Sequence, residues 1–250
     1  MTGTPLEGGN ASAEVVRIGQ TVRKPWLASS EVVQAYTSAL AGAGFDVPRP
    51  MGRDELGRQV IEYVPGVPAM DRPPLSLAEL AHVGRMVREI HDASAGIPLD
   101  PSVAWDSLIP APAQELLCHN DLAPWNLIVG ERWVFIDWDG AAPSTRLWDL
   151  AYAAQSFTLN DAAAEPSTAA TRLDAFVDGY GADQRLRTEL PQTMWRRTSA
   201  MYRMLKAAHA SGREPWGSMF ASGHGRHWKD VTEYVRQHEA TWRSALSPSR

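Results

Sequence analysis

The sequence predicts an α+β protein with two unequal lobes: a small N-terminal antiparallel-sheet lobe with one helix, and a larger, mainly helical C-terminal lobe. Short β-branched runs and turn residues dominate the first 64 residues, which is typical of strands and hairpins. Apolar residues at helical spacing dominate from about residue 145 onward. A proline-rich stretch between these regions indicates a linker. We therefore assign residues 1–64 to the N-terminal lobe and residues 65–250 to the C-terminal lobe, with a hinge at about 62–66.

The N-terminal lobe is predicted to contain a hairpin, a helix and a further strand. Residues 14–24 hold two β-branched runs around Gly19-Gln20, a short link typical of a hairpin. A helix is expected over residues 29–42, which begin with serines, carry apolar residues at helical spacing and end in glycine. Residues 59–64 read as a strand that Pro65-Gly66 ends.

The C-terminal lobe is predicted to begin with a helix and a second hairpin. Ser76-Leu77-Ala78-Glu79 has the spacing of a capping box, which marks a helix start. Residues 127–136 form two apolar runs around Gly130-Glu131, and they predict a hairpin. From about residue 145 to residue 245 the chain reads as helices separated by glycine and proline. The hairpin matters because polar motifs flank it on both sides.

The composition narrows the class of protein. The 250 residues carry a formal net charge of −5 without a dense lysine and arginine run, so we expect no nucleic-acid partner. Cys118 is the one cysteine, which excludes a disulfide within the chain and favours a small buried residue. We find neither a signal-peptide pattern nor an apolar run long enough for a membrane helix. We therefore expect no membrane partner and a cytoplasmic location.

Two polar motifs beside the second hairpin carry the chemistry. Asp121 and Asn126 lie five positions apart on one predicted loop, and Asp137 follows the last strand of the hairpin. Phosphoryl transfer needs a carboxylate that takes the proton of an acceptor hydroxyl, and Mg²⁺ needs hard oxygen ligands. An aspartate and an asparagine on one tight loop can meet both needs, and the later aspartate can complete the metal site. The spacing matches the catalytic-loop pattern of kinases.

Three stretches resemble the aminoglycoside phosphotransferase and choline kinase superfamily: His119-x-Asp121 with Asn126, Ile136-Asp137-Trp138, and Asp149-Leu150-Ala151. The resemblance covers nearly the whole chain and is most specific between residues 117 and 151. It implies a bilobal, protein-kinase-like fold and a small-molecule kinase that uses ATP or GTP with Mg²⁺. Asp149 follows Asp137 by only twelve positions, without an Ala-Pro-Glu motif, so a small acceptor is favoured over a peptide.

The resemblance assigns roles to the residues around the loop. Asp121 resembles the catalytic base, and Asn126 and Asp137 resemble the magnesium ligands. His119 and Asp149 resemble the residues that brace the catalytic loop. For Asp149 the sequence also favours a second role, the capping of a helix that begins near it.

Two further residues flank the catalytic positions. Trp125 and Asp139 are candidate contacts of the substrate, and Trp125 together with Trp138 is expected to wall the pocket. Asp139 is equally suited to contact the metal or to brace the loop.

The resemblance also places the nucleotide. Gly8-Gly9-Asn10 resembles the turn that covers the phosphates, although no G-x-G-x-x-G is present. Arg23 or Lys24 resembles the cation that grips the phosphates; alternation along the strand lets only one of them face the cleft, and we favour Arg23. Glu62-Tyr63-Val64 resembles the hinge that meets the base. The predicted helix has Glu31 only at its start, so the lysine–glutamate pair of kinases is expected to be absent or altered.

The sequence leaves the function open between classes. The favoured hypothesis is phosphorylation of a hydroxyl on an aminoglycoside-like or other hydroxylated small molecule. The alternative is a kinase-fold binding or immunity module that sequesters a small ligand or peptide with little turnover. A third hypothesis is an ATP hydrolase. The sequence selects neither the acceptor nor an oligomeric state.

Overall fold

The computed structural model describes residues 3–6 and 15–247 of the chain. Ten short strands are assigned among these residues: β1 Thr4–Pro5, β2 Val16–Ile18, β3 Thr21–Lys24, β4 Pro50–Arg53, β5 Gln59–Glu62, β6 Val67–Pro68, β7 Leu116–Cys118, β8 Leu127–Val129, β9 Trp133–Phe135 and β10 Ala142–Ser144. Eight α-helices accompany them: α1 Ser30–Gly42, α2 Leu77–Ala95, α3 Arg146–Thr158, α4 Pro166–Tyr180, α5 Gln184–Ser211, α6 Trp216–Met219, α7 Gly225–Gln237 and α8 Glu239–Ala245. Strands therefore dominate the first part of the chain and helices the last, as the sequence predicts.

The strands form three separate sheets. The N-terminal sheet is antiparallel with strand order β1-β2-β3-β5-β4. In the C-terminal part, β6, β8 and β9 form one small sheet, and β7 pairs with β10. Both predicted hairpins are present, β2–β3 and β8–β9. The chain leaves the first sheet after Glu62 and joins the second at Val67, which is where the hinge is predicted.

Helix α1 packs its apolar face inward, as its spacing predicts. Val33, Tyr36 and Leu40 are buried in the main core, and Tyr36 makes an edge-to-face contact with Trp138 from the C-terminal part. The Tyr36 hydroxyl also donates to the backbone carbonyl of Leu117 at 3.0 Å. The helix is therefore tied directly to the segments that carry the polar motifs.

The predicted capping box starts α2. The Ser76 hydroxyl accepts from the Glu79 amide, and the Glu79 carboxylate accepts from the Ser76 amide, so two backbone donors at the helix start are satisfied. One face of the helix is fully buried and lies against α4 and β7. Helix α2 thus forms the central support of the C-terminal part.

Helices α2 and α4 approach each other closely because each has a glycine at the crossing. A Cβ atom at Gly84 would overlap the carbonyl oxygen of Phe176, and one at Gly179 would overlap the carbonyl oxygen of Ala81. We predict that Gly84→Ala lowers the free energy of unfolding by about 1–3 kcal/mol, because backbone must move to admit the methyl group. Urea unfolding measures this.

Gly42→Ala is the matched control, because nothing lies within 4 Å of a Cβ atom at Gly42. We expect this variant to keep or slightly raise the stability of the protein. Unfolding of Gly84→Ala at the wild-type urea midpoint would contradict the close helix contact.

Among the described residues, no helix combines the length and the apolar character that crossing a membrane requires.

Candidate active site

Two strand pairs position the polar loop. Strand β7 is fully buried and enters the loop at His119, and the loop ends at Asn126, where β8 begins. The amide of Ile136 donates to the carbonyl of Asn126 at 2.8 Å. Because β8 and β9 are paired, the end of β9 returns to the loop, and Asp137 follows directly. The hairpin thus brings the two motifs, which are separated in the sequence, close together in space.

His119 is completely buried beneath the loop. Its Nδ1 accepts from the backbone amide of Asp121 at 3.3 Å, and its Nε2 lies 3.0 Å from the carbonyl of Ile136. These partners suit the tautomer with the proton on Nε2. The ring also packs against Trp138, with 4.5 Å between ring centroids. His119 therefore links the loop to the end of the hairpin, which supports its predicted bracing role.

Asp149 holds the loop from the opposite side. Its Oδ1 accepts from the backbone amide of Asn120 at 2.8 Å, and its Oδ2 lies 3.0 Å from His91 Nε2. Asn120 has a φ of 63°, so the loop backbone takes an unusual conformation where this carboxylate grips it. The prediction that Asp149 caps a helix is wrong, because Thr145 caps α3 and Asp149 lies inside the helix.

The carboxylate of Asp121 is held at both oxygens. The Tyr152 hydroxyl donates to Oδ1 at 2.7 Å, and the Asn126 side-chain amide donates to Oδ2 at 2.8 Å. Burial raises the pKa of Asp121 above its ordinary value; the Tyr152 hydrogen bond opposes that rise and the nearby charge of Asp137 adds to it. The result is a fixed carboxylate with raised basicity, which suits a proton acceptor.

Asn126 and Asp137 present oxygen atoms of the kind that Mg²⁺ prefers. The Asn126 amide nitrogen is engaged by Asp121, which leaves its Oδ1 as an acceptor with no protein partner among the described residues. The Asp137 side chain is 45% exposed, although its Oδ1 contacts Lys24. Lys24 lowers the pKa of Asp137, so the carboxylate stays ionised. One amide and one carboxylate oxygen beside the loop fit a magnesium ion.

Lys24, and not Arg23, faces this carboxylate. Lys24 Nζ lies 2.9 Å from Asp137 Oδ1 and 2.8 Å from Asp139 Oδ2. Burial opposes the charge of Lys24, but the two carboxylates outweigh burial and raise its pKa. Arg23 points to the other face of β3, where its Nε lies 3.3 Å from Asp54. The preference for Arg23 is therefore wrong, because strand alternation turns the next residue toward the cleft.

The side chain of Asp139 contacts two strands of the N-terminal sheet, β3 and β5. Besides Lys24 it contacts Gln59 of β5, whose Nε2 lies 3.4 Å from Asp139 Oδ1 and donates to the carbonyl of Pro25 at 2.9 Å. These contacts tie Asp139 to the N-terminal sheet. The expectation that Asp139 contacts the acceptor substrate stays a prediction; in the structure its side chain pairs with Lys24.

The three residues of the predicted hinge, Glu62, Tyr63 and Val64, make side-chain contacts within the protein. Glu62 pairs with Arg132 and accepts from the backbone amide of Arg49, and the guanidinium of Arg17 lies 3.7 Å from the centre of the Tyr63 ring. Val64 is buried in a small cluster with three other apolar side chains: Ile128, Val134 and Ile136. Gly8-Gly9-Asn10, predicted to cover the phosphates, lies outside the described residues.

Trp125 belongs to a second apolar cluster beside Asp121. Its buried members are Ala123, Tyr152, Leu205 and Trp228. Partly buried aromatic and thioether side chains pack around them: Trp125, Met201, Tyr202, Met204, Trp216, Met219 and Phe220. We call this group the aromatic wall. Since Tyr152 bonds Asp121, the wall lies directly beside the Asp121 carboxylate, and Trp125 is part of this wall.

Several supporting residues are not identified by the sequence analysis. His91 of α2 contacts Asp149 and, through Nδ1, the Tyr180 hydroxyl at 2.9 Å. Arg197 is buried, donates to the carbonyl of Asn120 at 3.1 Å and stacks over the Tyr152 ring. The sequence feature that could have identified Arg197 is its position as a single cation on the buried face of α5.

The segment that carries this site is similar to known proteins. Residues 102–191, which contain the loop, the hairpin and α3, match the model of a phosphotransferase enzyme family. No curated protein matches the chain in sequence.

Solved structures match nearly the whole chain. A choline/ethanolamine kinase family protein from Mesorhizobium loti is 18% identical, with 98% of this chain and 93% of that chain covered and a TM-score of 0.64. An amicoumacin kinase in complex with AMP-PNP, Ca²⁺ and Ami is 14% identical, with coverages of 92% and 88% and a TM-score of 0.64. An ADP-bound aminoglycoside phosphotransferase is 12% identical, with coverages of 97% and 94% and a TM-score of 0.57.

These matches confirm the predicted α+β, protein-kinase-like fold. The matched fold is that of solved small-molecule kinases, and the matched family model is that of phosphotransferase enzymes, so the predicted resemblance to the aminoglycoside phosphotransferase and choline kinase superfamily is confirmed.

Proposed function

We propose that this protein is a small-molecule kinase that transfers the γ-phosphate of ATP or GTP to a hydroxyl group in a Mg²⁺-dependent reaction. One observation carries the proposal. Asp121 is fixed by Tyr152 and Asn126, and the hairpin brings Asp137, already paired with Lys24, to the same loop. A proton acceptor, two oxygen ligands and a phosphate-binding cation are thereby assembled at one place.

Asp121 acts on the acceptor hydroxyl. Its carboxylate orients the hydroxyl and takes its proton as the acceptor oxygen bonds to the γ-phosphorus. The bond from that phosphorus to the bridging oxygen breaks, and the electron pair leaves with the nucleoside diphosphate. The hydrogen bonds from Tyr152 and Asn126 fix the carboxylate in one orientation, so little reorganisation is needed during transfer.

Positive charge for the phosphates comes from Lys24 and from the metal site. Mg²⁺ held by Asn126 and Asp137 would neutralise the charge that develops on the phosphate oxygens. Lys24 is buried and ionised at the inner end of β3, where its ammonium can reach phosphate oxygens. The apolar side chains of Val64 and Ile128 lie beside the predicted hinge, where they would contact a purine base.

The aromatic wall favours a small acceptor that has an apolar surface near its hydroxyl group. Aromatic and thioether side chains adapt to apolar ligands, and aromatic faces also attract cations. Trp125 and Tyr202 are only partly buried and lie in the cluster that contacts Tyr152. Amino alcohols, aromatic alcohols and aminoglycosides are therefore the first acceptors to test.

The proposal is tested by acceptor-dependent release of ADP or GDP. The purified protein is mixed with Mg²⁺-ATP or Mg²⁺-GTP and with single acceptors from a panel of amino alcohols, aromatic alcohols, aminoglycosides, sugars and hydroxy amino acids. We expect at least one acceptor to accelerate diphosphate release well above the rate without acceptor. Full-rate release without any acceptor would favour a hydrolase, and absence of nucleotide binding at millimolar concentration would contradict the proposal.

A pH profile tests the role of Tyr152. Asp121 must be ionised to accept a proton, so kcat/KM is expected to fall as pH drops through its pKa. The Tyr152 hydrogen bond lowers that pKa, and Tyr152→Phe removes the lowering contribution. We therefore predict that the acid limb of the profile moves to higher pH in Tyr152→Phe.

Tyr234→Phe is the control for this shift. The Tyr234 hydroxyl of α7 donates to the carbonyl of Ala164, which lies just before α4 and is far from the polar loop in the sequence. Its acid limb should coincide with that of the wild type. An unmoved acid limb in Tyr152→Phe would show that another group governs the profile.

A further inference from the structure

Lys24, the β3 cation that pairs with Asp137, has no acidic partner on helix α1. Glu31 is the only acidic residue of α1, and it is exposed in the first turn. The inward face of the helix is instead formed by buried residues such as Val33 and Tyr36. A lysine that is to bind phosphate must be held in place with its charge intact. The carboxylate that holds Lys24 therefore comes from elsewhere.

Asp139 has the position and surroundings for this task. Its Oδ2 lies 2.8 Å from Lys24 Nζ, and its side chain is 18% exposed, against 45% for Asp137. Asp137 is the better placed of the two to bind a metal ion from the cleft. When Asp137 is engaged by a metal, Asp139 remains as the carboxylate of Lys24.

The turn that carries Asp139 is fixed from two directions. Gln59 reaches Asp139 from the N-terminal sheet. The preceding Trp138 is buried, donates through its ring nitrogen to the carbonyl of Phe135 and packs edge-to-face on Tyr36 of α1. Helix α1 thus supports the turn that supplies the carboxylate and does not supply the carboxylate itself.

We propose that Asp139 is the positioning residue of Lys24 and takes the place of the missing helix carboxylate. The inference rests on the proposed kinase function. It implies that Asp139 governs nucleotide affinity through Lys24, most strongly when a divalent metal engages Asp137. A metal ligand at this position would instead act on nucleotide affinity independently of Lys24.

The test measures ADP binding by calorimetry in EDTA and again in Mg²⁺. We expect Asp139→Asn to weaken ADP binding about tenfold in Mg²⁺, because a charge-assisted contact that orients Lys24 is lost. The loss should be smaller in EDTA, where Asp137 still pairs with Lys24. Combined with Lys24→Met, Asp139→Asn should weaken binding no further than Lys24→Met alone. Unchanged ADP binding in Mg²⁺, or additive effects of the two substitutions, would overturn the inference.

Asp54→Asn is the matched control. Asp54 pairs with Arg23 on the opposite face of the same strand, so this variant also removes a carboxylate from a β3 cation. Its ADP affinity in Mg²⁺ should equal that of the wild type. An equal loss in Asp54→Asn would show that the effect is a general weakening of the sheet.

A second measurement does not depend on the nucleotide. A double-mutant cycle of Lys24→Met and Asp139→Asn on urea unfolding, without ligand, should give a coupling free energy beyond experimental error. Zero coupling would contradict the inference about Asp139 but would not contradict the kinase proposal. Coupling without any nucleotide binding to the wild type would instead contradict the kinase proposal.

Discussion

Replacement of Asp121 by asparagine is expected to lower kcat by about 10²–10⁴-fold while nucleotide affinity stays close to that of the wild type. Asparagine keeps the size of the side chain but cannot take the proton of the acceptor hydroxyl. The fold should tolerate it, because the Tyr152 hydroxyl can accept from the new amide while the amide oxygen still accepts from Asn126. Steady-state kinetics with calorimetry of Mg²⁺-ADP binding measure both quantities.

The same variant separates the kinase from the alternative functions. A binding module that sequesters its ligand would keep its effect in Asp121→Asn, because affinity does not depend on proton transfer. Tyr234→Phe serves as a control for purification and folding, since its hydroxyl contacts Ala164. Turnover in Asp121→Asn at the wild-type rate would exclude Asp121 as the base.

Asp149→Ala is expected to lower the free energy of unfolding by about 3 kcal/mol or more, and to abolish turnover. The carboxylate is fully buried, and it satisfies the Asn120 amide and contacts His91. Truncation leaves both buried groups without this partner, and each unsatisfied polar group is costly. It also frees the loop that carries Asp121. Urea unfolding with constant slope, together with kcat, gives the two effects.

Asp92→Ala is the matched control for this loss. Like Asp149, Asp92 has two partners, in this case the cations Arg88 and Arg146, but its side chain is 49% exposed. Exposed ion pairs contribute little, so we expect a change of at most about 1 kcal/mol. If Asp149→Ala were as stable as Asp92→Ala, the bracing role of Asp149 would be wrong.

The parts of the site that the sequence predicts are those with local spacing. Asp121, Asn126 and Asp137 are separated by one loop and one hairpin, and the glycine between the two apolar runs indicates how the chain returns. The capping box of α2 and the apolar face of α1 are equally local patterns. In each case a few neighbouring residues determine the geometry, so the pattern is sufficient.

The remaining contacts depend on packing between distant segments. His91 lies 58 positions from Asp149, and Arg197 lies 77 positions from Asn120, so no local pattern relates them. The choice between Arg23 and Lys24 depends on which face of one strand turns toward the cleft. The partners that decide it, Asp54 on one side and Asp139 on the other, are brought together only by the sheet and the hairpin.

Binding of a non-hydrolysable ATP analogue with Mg²⁺ to the wild type and to Asp137→Ala tests the proposed metal–nucleotide site. Calorimetry requires no knowledge of the acceptor. We expect the wild type to bind the analogue and Mg²⁺ to strengthen the binding; Asp137→Ala should lose this strengthening because a metal ligand is gone. Equal Mg²⁺-dependent affinity of the two proteins would contradict a metal–nucleotide site at Asn126 and Asp137.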